Sequence, residues 1–332
     1  MGAIVWSLQN CINAILDVVI IKTGLVVTDE YLLEILKEEF PDSHFDRYAK
    51  SSELGIRVRS EDFDMYCWKI RQRLGELENI SSLFVEDVDK CMEWMEEGID
   101  YMGCVRQIMN LAAEQFDRNN PQLVDPRPIV EKLLDENKYP WEVIKQAFND
   151  ILHQQQMSNN ITPTEEILWD GGISLKNLFE KEHIPLKEDE FIDQKFINFL
   201  QANPQKLEFM HWRNFERLTA EFFNRQGYEI ELGPGSNDGG VDIRVFNKTE
   251  KDKPYIIIQC KRHKESNEVK IETVKSFYTD VAFEEAKKGL IATTSKVATG
   301  GKKVVSIRKY PLEFAENKEV VEWVNNMCKR NI

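Results

Sequence analysis

Asp242, Gln259 and Lys261 are the side chains of this 332-residue chain whose types and spacing could do chemistry together. Asp242 heads the alternating run Asp242-Ile243-Arg244-Val245-Phe246. It follows a stretch rich in turn residues, Gly235-Ser236-Asn237-Asp238-Gly239-Gly240. Gln259 and Lys261 close the almost continuous apolar run that begins at Pro254, which reads as a buried strand. They are two residues apart, so they project from one face. If the two strands are neighbours, a carboxylate, an amide and an ammonium meet at their ends. That set fits metal-assisted phosphodiester chemistry.

The elements needed to position these groups can be read from the surrounding sequence. Phe191–Leu200 and Trp212–Phe223 have helical spacing, and Gly227-Tyr228 leads from the second helix into a strand over Tyr228–Leu232. The Asp242 and Gln259/Lys261 strands come next. After them come a helix over Val269–Phe283, a strand over Gly289–Ser295, a basic helix with Lys302, Lys303, Arg308 and Lys309, a strand over Pro311–Phe314 and a closing helix over Lys318–Lys329. The order α-β-β-β-α-β-α-β predicts an α/β domain around a mixed sheet. Glu216 lies in the helix before the first strand, flanked by the apolar Phe215 and Leu218.

Five stretches resemble the Mrr-type restriction endonuclease catalytic domain, of the PD-(D/E)xK nuclease superfamily. They are the Phe215-Glu216 helix with Glu221-Phe222-Phe223, Gly227-Tyr228, Asn237-Asp238-Gly239-Gly240-Val241-Asp242, Gln259-Cys260-Lys261-Arg262, and Gly289-Leu290-Ile291-Ala292-Thr293-Thr294-Ser295. The resemblance covers about residues 205–315 and implies a metal-dependent DNA endonuclease. By motif position Asp242 is the superfamily acid and Lys261 its lysine. Gln259 stands where most members carry Asp or Glu, a variant shared by Mrr-like proteins, and Glu216 matches the helix acid. The implied cofactor is Mg²⁺, for which Mn²⁺ can substitute, held by Asp242, Glu216 and the neutral carbonyl of Gln259. Lys261 would stabilise the attacking hydroxide and the phosphate oxygens. Arg262, Lys264, Thr294, Ser295, Lys302 and Lys303 are the candidate DNA contacts. After Thr294-Ser295 the family usually has a helix of small residues. Here the chain reads Lys296-Val297-Ala298-Thr299-Gly300-Gly301-Lys302-Lys303.

The preceding half has a different character. Net charge is −14 overall but +4 from residue 201 onward, leaving −18 for the first 200 residues. Sequence-specific DNA reading by that acidic half is not expected. Residues 1–157 read as a helical domain, with Thr28-Asp29-Glu30 and Ser60-Glu61-Asp62 as helix starts. Val85–Phe116 reads as one long or kinked amphipathic helix, in which Met92, Trp94, Met95 and Met102 keep core or helix-pairing spacing. Gln154–Thr164 reads as linker, and residues 158–204 as linker and connecting helices before a nuclease domain over 205–332. The fold class expected is therefore α+β multidomain: an all-α N-terminal domain and a C-terminal restriction-endonuclease-like α/β domain. Six scattered cysteines with no CxxC spacing point to reduced thiols in a cytoplasmic protein. The apolar stretch Ala14–Val27 is broken by Asp17 and Lys22 and is too short to span a bilayer.

The function expected is restriction or anti-phage defence, with DNA as partner. Cutting two strands calls for two sites, hence a homodimer or larger assembly. The acidic half would then be a sensor of a defence-system trigger, an assembly module pairing through Val85–Phe116, or an autoinhibitory cover over the basic face. Two other readings fit the same residues: a structure-specific repair or recombination nuclease, and a DNA-binding or assembly protein that does not cut.

Overall fold

The structure, a computed structural model, describes residues 3–41, 43, 45, 55–76, 86–115, 126–158, 171–182, 186, 189–235, 240–248 and 252–328. Asn237, Asp238 and Gly239, in the turn before Asp242, lie outside the described residues, as does the whole stretch 159–170. The chain forms two compact units, Met1–Glu78 with Ile167–Ile332, and Asn79–Glu166.

The first unit begins with strand β1 (Ala3–Ser7) and helix α1 (Leu8–Thr23). The Ser7 hydroxyl caps α1 by accepting from the Asn10 amide, 3.2 Å away. Leu8, Cys11, Ile12, Ile15 and Val19 recur every three or four residues and are all buried. Gly24, in the left-handed region at φ 66°, ends the helix. Strand β2 (Leu25–Val26), helix α2 (Asp29–Glu39, capped by Thr28), strand β3 (Gly55–Arg59) and helix α3 (Ser60–Arg73) follow. The expectation of an all-helical start is corrected here, because β1 and β3 pair antiparallel from Ala3↔Arg59 to Ser7↔Gly55. β3 has strict period-two burial, with Ile56 and Val58 inward and Arg57 and Arg59 outward.

The second unit contains α4 (Glu86–Glu96), α5 (Tyr101–Gln115), α6 (Pro126–Asp135) and α7 (Trp141–Ser158). The single helix expected over Val85–Phe116 is two helices. Gly98, at φ 80°, breaks it, and the Asp100 carboxylate starts the next by accepting from the Gly103 amide at 2.8 Å. Tyr101, Cys104, Ile108 and Leu111 of α5 pack with Ile129, Leu133, Val143 and Ile144. Met92, Met95 and Met102 are exposed rather than in this core, and Trp94 stacks on Tyr101. α7 continues to Ser158, into the stretch expected to be linker.

The chain returns to the first unit through β4 (Ile173–Ser174), which pairs parallel with β2, then α8 (Lys176–Glu180), α9 (Gln194–Ala202) and a 3-10 turn over Pro204–Phe209. The remaining elements follow the expected order: α10 (Trp212–Arg225), β5 (Glu229–Leu232), β6 (Ile243–Phe246), β7 (Ile256–Lys261), a two-residue β8 (Glu268–Val269), α11 (Ile271–Phe283), β9 (Lys288–Thr293), a two-residue β10 (Lys296–Val297), α12 (Thr299–Arg308), β11 (Leu312–Ala315) and α13 (Asn317–Cys328). The fold is α+β with a mixed five-stranded sheet in the order β11-β9-β7-β6-β5. β5, β6 and β7 pair antiparallel, and β7, β9 and β11 pair parallel.

Both faces of this sheet are covered, so its central strand is apolar until its end. Ile258, Cys260, Leu290 and Ala292 pack with Phe215 and Leu218 of α10 and Val320 and Val324 of α13. Ile257 and Ile291 pack on the other face with Val274, Phe277 and Val281 of α11. The first of these cores also takes in Leu8, Ile12, Ile15 and Leu36. The compact units meet at Glu78/Asn79 and Glu166/Ile167. Residues 1–78 share a core with the sheet and are not a detachable cover. Each large aliphatic side chain removed from such a core costs about 2–5 kcal/mol. A chain lacking residues 1–78 should thus lose cooperative thermal unfolding by circular dichroism. A chain with 79–166 replaced by a flexible linker should keep it. Retained cooperative melting without residues 1–78 would contradict the shared core.

Candidate functional site

Asp242 is the residue immediately before β6, and backbone and side chain both hold it. Its amide donates to the Ile258 carbonyl at 3.0 Å, and its carbonyl accepts from the Gly233 amide at 2.8 Å. Its Oδ2 accepts from the Cys260 amide at 2.6 Å. The last contact is short because the acceptor is charged. It ties the carboxylate to the middle residue of the Gln259-Cys260-Lys261 triplet.

Gln259 is buried, and its Nε2 donates to the Gly240 carbonyl at 2.8 Å. That bond commits the amide nitrogen, and Oε1 is buried with no hydrogen-bond partner among the described residues. A buried acceptor without a partner costs about 1–3 kcal/mol, so a protein that keeps one does so against its own stability. Gly240 has φ 92°, and a Cβ there would lie 3.1 Å from Gln259 Nε2. Lys261 is partly exposed at the end of β7, and pleating gives it the same face as Gln259. Its carbonyl accepts from the Thr293 hydroxyl at 2.7 Å.

Glu216 is buried on α10, where its Oε2 accepts from Arg213 Nη1 at 2.7 Å. Arg213 Nη2 donates to the Gly233 carbonyl at 2.7 Å, and Gly233 in turn donates its amide to Asp242. Arg213 thus links the two acids through one backbone residue. Sequence reading missed it; its only signal was the i,i+3 spacing to Glu216. The buried Cys260 thiol feels the charge of both acids. Burial pushes it well above the usual thiol range, Asp242 and Glu216 push the same way, and a Thr219 hydrogen bond and Lys261 oppose them.

The acceptors these residues offer are the Asp242 and Glu216 carboxylates and the neutral amide oxygen of Gln259; the Asp280 carboxylate also lies 3.7 Å from where a Gly240 Cβ would stand. Among the described residues no group of three or more His, Cys, Asp or Glu is placed to hold a metal ion. An oxygen-seeking divalent cation fits the set present, because the orphaned Gln259 Oε1 is a hard acceptor beside the anchored Asp242.

The candidate DNA contacts separate into two kinds. Thr294 and Ser295 are buried. The Thr294 hydroxyl donates to the His263 carbonyl at 2.7 Å and accepts from the His263 amide at 2.9 Å. Ser295 Oγ lies 3.1 Å from Thr293 Oγ1. These hydroxyls brace the chain beyond β7 and are withdrawn from solvent. Lys302 pairs with Glu316 at 2.6 Å. Lys264 and Lys303 are exposed, and Arg262 donates through Nη1 to the Glu208 carbonyl at 3.2 Å.

Residues 207–324 match the restriction endonuclease family model Mrr_cat, which supports an Mrr-type restriction-endonuclease-like domain in this part of the chain. The uncharacterized protein y4cE of Sinorhizobium fredii (strain NBRC 101917 / NGR234) is 24% identical over 131 residues, 39% of this chain and 34% of that protein. The chain therefore spans about a third of the length of that relative. The MspJI restriction endonuclease in complex with a 27-mer oligonucleotide is 17% identical over 45% of this chain and 36% of that one, with a TM-score of 0.33. That likeness is too distant to carry residue roles.

All six cysteines are free. Among the described residues no helix is long and apolar enough to cross a membrane. At pH 8, iodoacetamide followed by peptide mass mapping should leave Cys260 unmodified in the folded chain and modify it after unfolding. Labelling of native Cys260 at the rate of a free thiol would contradict a buried thiol whose ionisation is opposed by burial and by two acids.

Proposed function

We propose that the chain is a metal-dependent DNA endonuclease that hydrolyses phosphodiester bonds in restriction or anti-phage defence, with Asp242, Gln259, Lys261 and Glu216 as its working residues. The observation that carries the reading is the Asp242 carboxylate anchored by the Cys260 amide, beside an orphaned buried Gln259 Oε1 and next to Lys261. A bound Mg²⁺ or Mn²⁺ supplies a Lewis acid that lowers the pKa of water and neutralises charge on the phosphate. Asp242 and Gln259 would hold that cation, with Glu216 directly or through water. Lys261 offers an ammonium on the same face, to orient the attacking oxygen and offset charge developing on the phosphate. The Arg213–Glu216 pair holds the helix acid in place. Because Gln259 contributes no charge, the site relies on substrate phosphate to complete its negative set.

The surroundings favour an anionic polymer as substrate. The part from residue 201 onward is positive in an otherwise acidic chain, and Lys261, Arg262, His263 and Lys264 are consecutive. Cutting both strands would call for two such sites, so the active form is a homodimer or larger assembly, and it acts in the cytoplasm.

Supercoiled plasmid with Mg²⁺ or Mn²⁺ should be nicked or linearised by the wild type. Asp242→Ala should abolish cleavage, and Lys261→Ala should slow it by at least about 100-fold, the lower end of what a positioned charge contributes in a dry site. Equal cleavage by all three proteins would remove the assignment. Binding without cleavage under every divalent metal tried would leave a DNA-binding protein on a nuclease fold.

A further inference from the structure

Beyond the metal seat, a second group of side chains converges on the start of α10. Arg217 lies one turn after Arg213. The two differ in what they bind. Arg213 is engaged by Glu216 and the Gly233 carbonyl, whereas Arg217 Nη1 is buried with no hydrogen-bond partner among the described residues. Arg262, one residue past Lys261, shows the same feature. Its Nη1 is fixed on the Glu208 carbonyl, yet its Nε is buried and unpartnered among the described residues. His211 caps the helix, its Nδ1 accepting from the Arg213 amide at 3.2 Å. In the neutral ring the proton therefore sits on Nε2, which is a donor.

The three groups are electrostatically coupled. His211 is held below the usual histidine range by burial; Glu182 pulls it up, and the charges of Arg262 and Arg217 press it further down. Burial likewise lowers Arg217, Arg213 adds to the effect, and Glu182 and Glu216 oppose it. Glu182 is thus the acid facing both His211 and Arg217, and it satisfies neither orphaned N–H. Buried like charges with unpaired donors are costly unless an anion completes them. A tetrahedral oxyanion with several acceptors suits two arginine forks and an imidazole N–H, and arginine is the side chain suited to phosphate.

We propose that Arg217, Arg262 and His211 hold a backbone phosphate of the bound DNA strand, close to the reacting one. These are positioning residues, and their role rests on the nuclease reading. Arg262 follows Lys261 directly, and Arg217 follows Glu216 directly, so a phosphate held between them sets the register of the strand against the metal seat. A phosphate held there gives affinity without reading sequence.

The test uses the full chain with Asp242→Asn, which keeps an acceptor for the Cys260 amide and prevents turnover. Binding to a labelled duplex of about 25 base pairs is followed by fluorescence anisotropy across a salt series, with melting temperature recorded for every variant. Arg217→Gln and Arg262→Gln should each weaken binding about tenfold and reduce the slope of log K against log salt by about 0.9, the value of one phosphate contact. Arg217→Lys, which spares the fold if the glutamine variant does not, should keep the slope and lose part of the affinity. Arg106→Gln, at an exposed arginine of α5, should change neither. In a scan of single neutral methylphosphonates, one position should cost the parent about tenfold and cost Arg217→Gln nothing. Unchanged slopes in both glutamine variants, or a methylphosphonate penalty that persists in them, overturns this site while leaving the nuclease reading intact. A parent that binds no duplex overturns both.

Discussion

The hydrogen bond from the Cys260 amide to the Asp242 carboxylate is the contact on which the rest of the candidate site depends. Asp242 also donates to the Ile258 carbonyl and accepts from the Gly233 amide, so one residue joins the approach to β6, the end of β7 and the stretch after β5. Turning the carboxylate away would leave a buried amide unpaired, at a cost of about 1–3 kcal/mol. The acid is therefore fixed relative to β7 before any ligand arrives. Gln259 and Lys261, on either side of Cys260, inherit that register. This is preorganisation by the sheet itself, with covered faces and an apolar central strand supplying the rigidity.

Charge is the second constraint. Of the acids nearby, Asp242 is bound to a neutral amide and Glu216 is neutralised by Arg213. Gln259 adds an oxygen but no charge. Cation affinity in oxygen sites rises with the number of charged ligands. In the proposed reading the empty-handed enzyme binds metal weakly, and the substrate phosphate supplies the missing negative charge. Metal and DNA would then bind cooperatively, which limits hydrolysis away from the substrate.

Much of the C-terminal architecture was legible because its strands are buried on both faces. The run from Ile256 to Ile258 is apolar by necessity, and the polar end that follows it stands out against that background. The main elements from α10 to α13 fall where their periodicity places them, whereas the two-residue β8 and β10 were not expected. Other features depended on partners distant in the chain. Thr294 has the look of a ligand donor, but its hydroxyl is consumed by His263, 31 residues earlier. The function of Arg213 requires Gly233, 20 residues on. The strands β1 and β3 were missed because each is five residues long and its partner lies about fifty residues away in the chain. The methionines of α4 and α5 keep helical spacing, yet Met92, Met95 and Met102 face solvent. Periodicity finds a stripe, but it does not say what covers it. The share of residues 1–78 in the core of the sheet unit could not be read from charge or composition, which separate the chain into an acidic and a basic part rather than into packed units.

The central claim is that Asp242 and the neutral Gln259 oxygen together form a weak divalent-cation seat. Electron paramagnetic resonance titration of Mn²⁺ into the full chain, without DNA, tests it most directly. Gln259→Glu adds a full negative charge at the orphaned oxygen and should tighten Mn²⁺ binding at least about tenfold, equivalent to about 1.4 kcal/mol. Asp242→Ala should abolish binding at the same site. Identical Mn²⁺ affinity in the wild type, Gln259→Glu and Asp242→Ala would contradict the account.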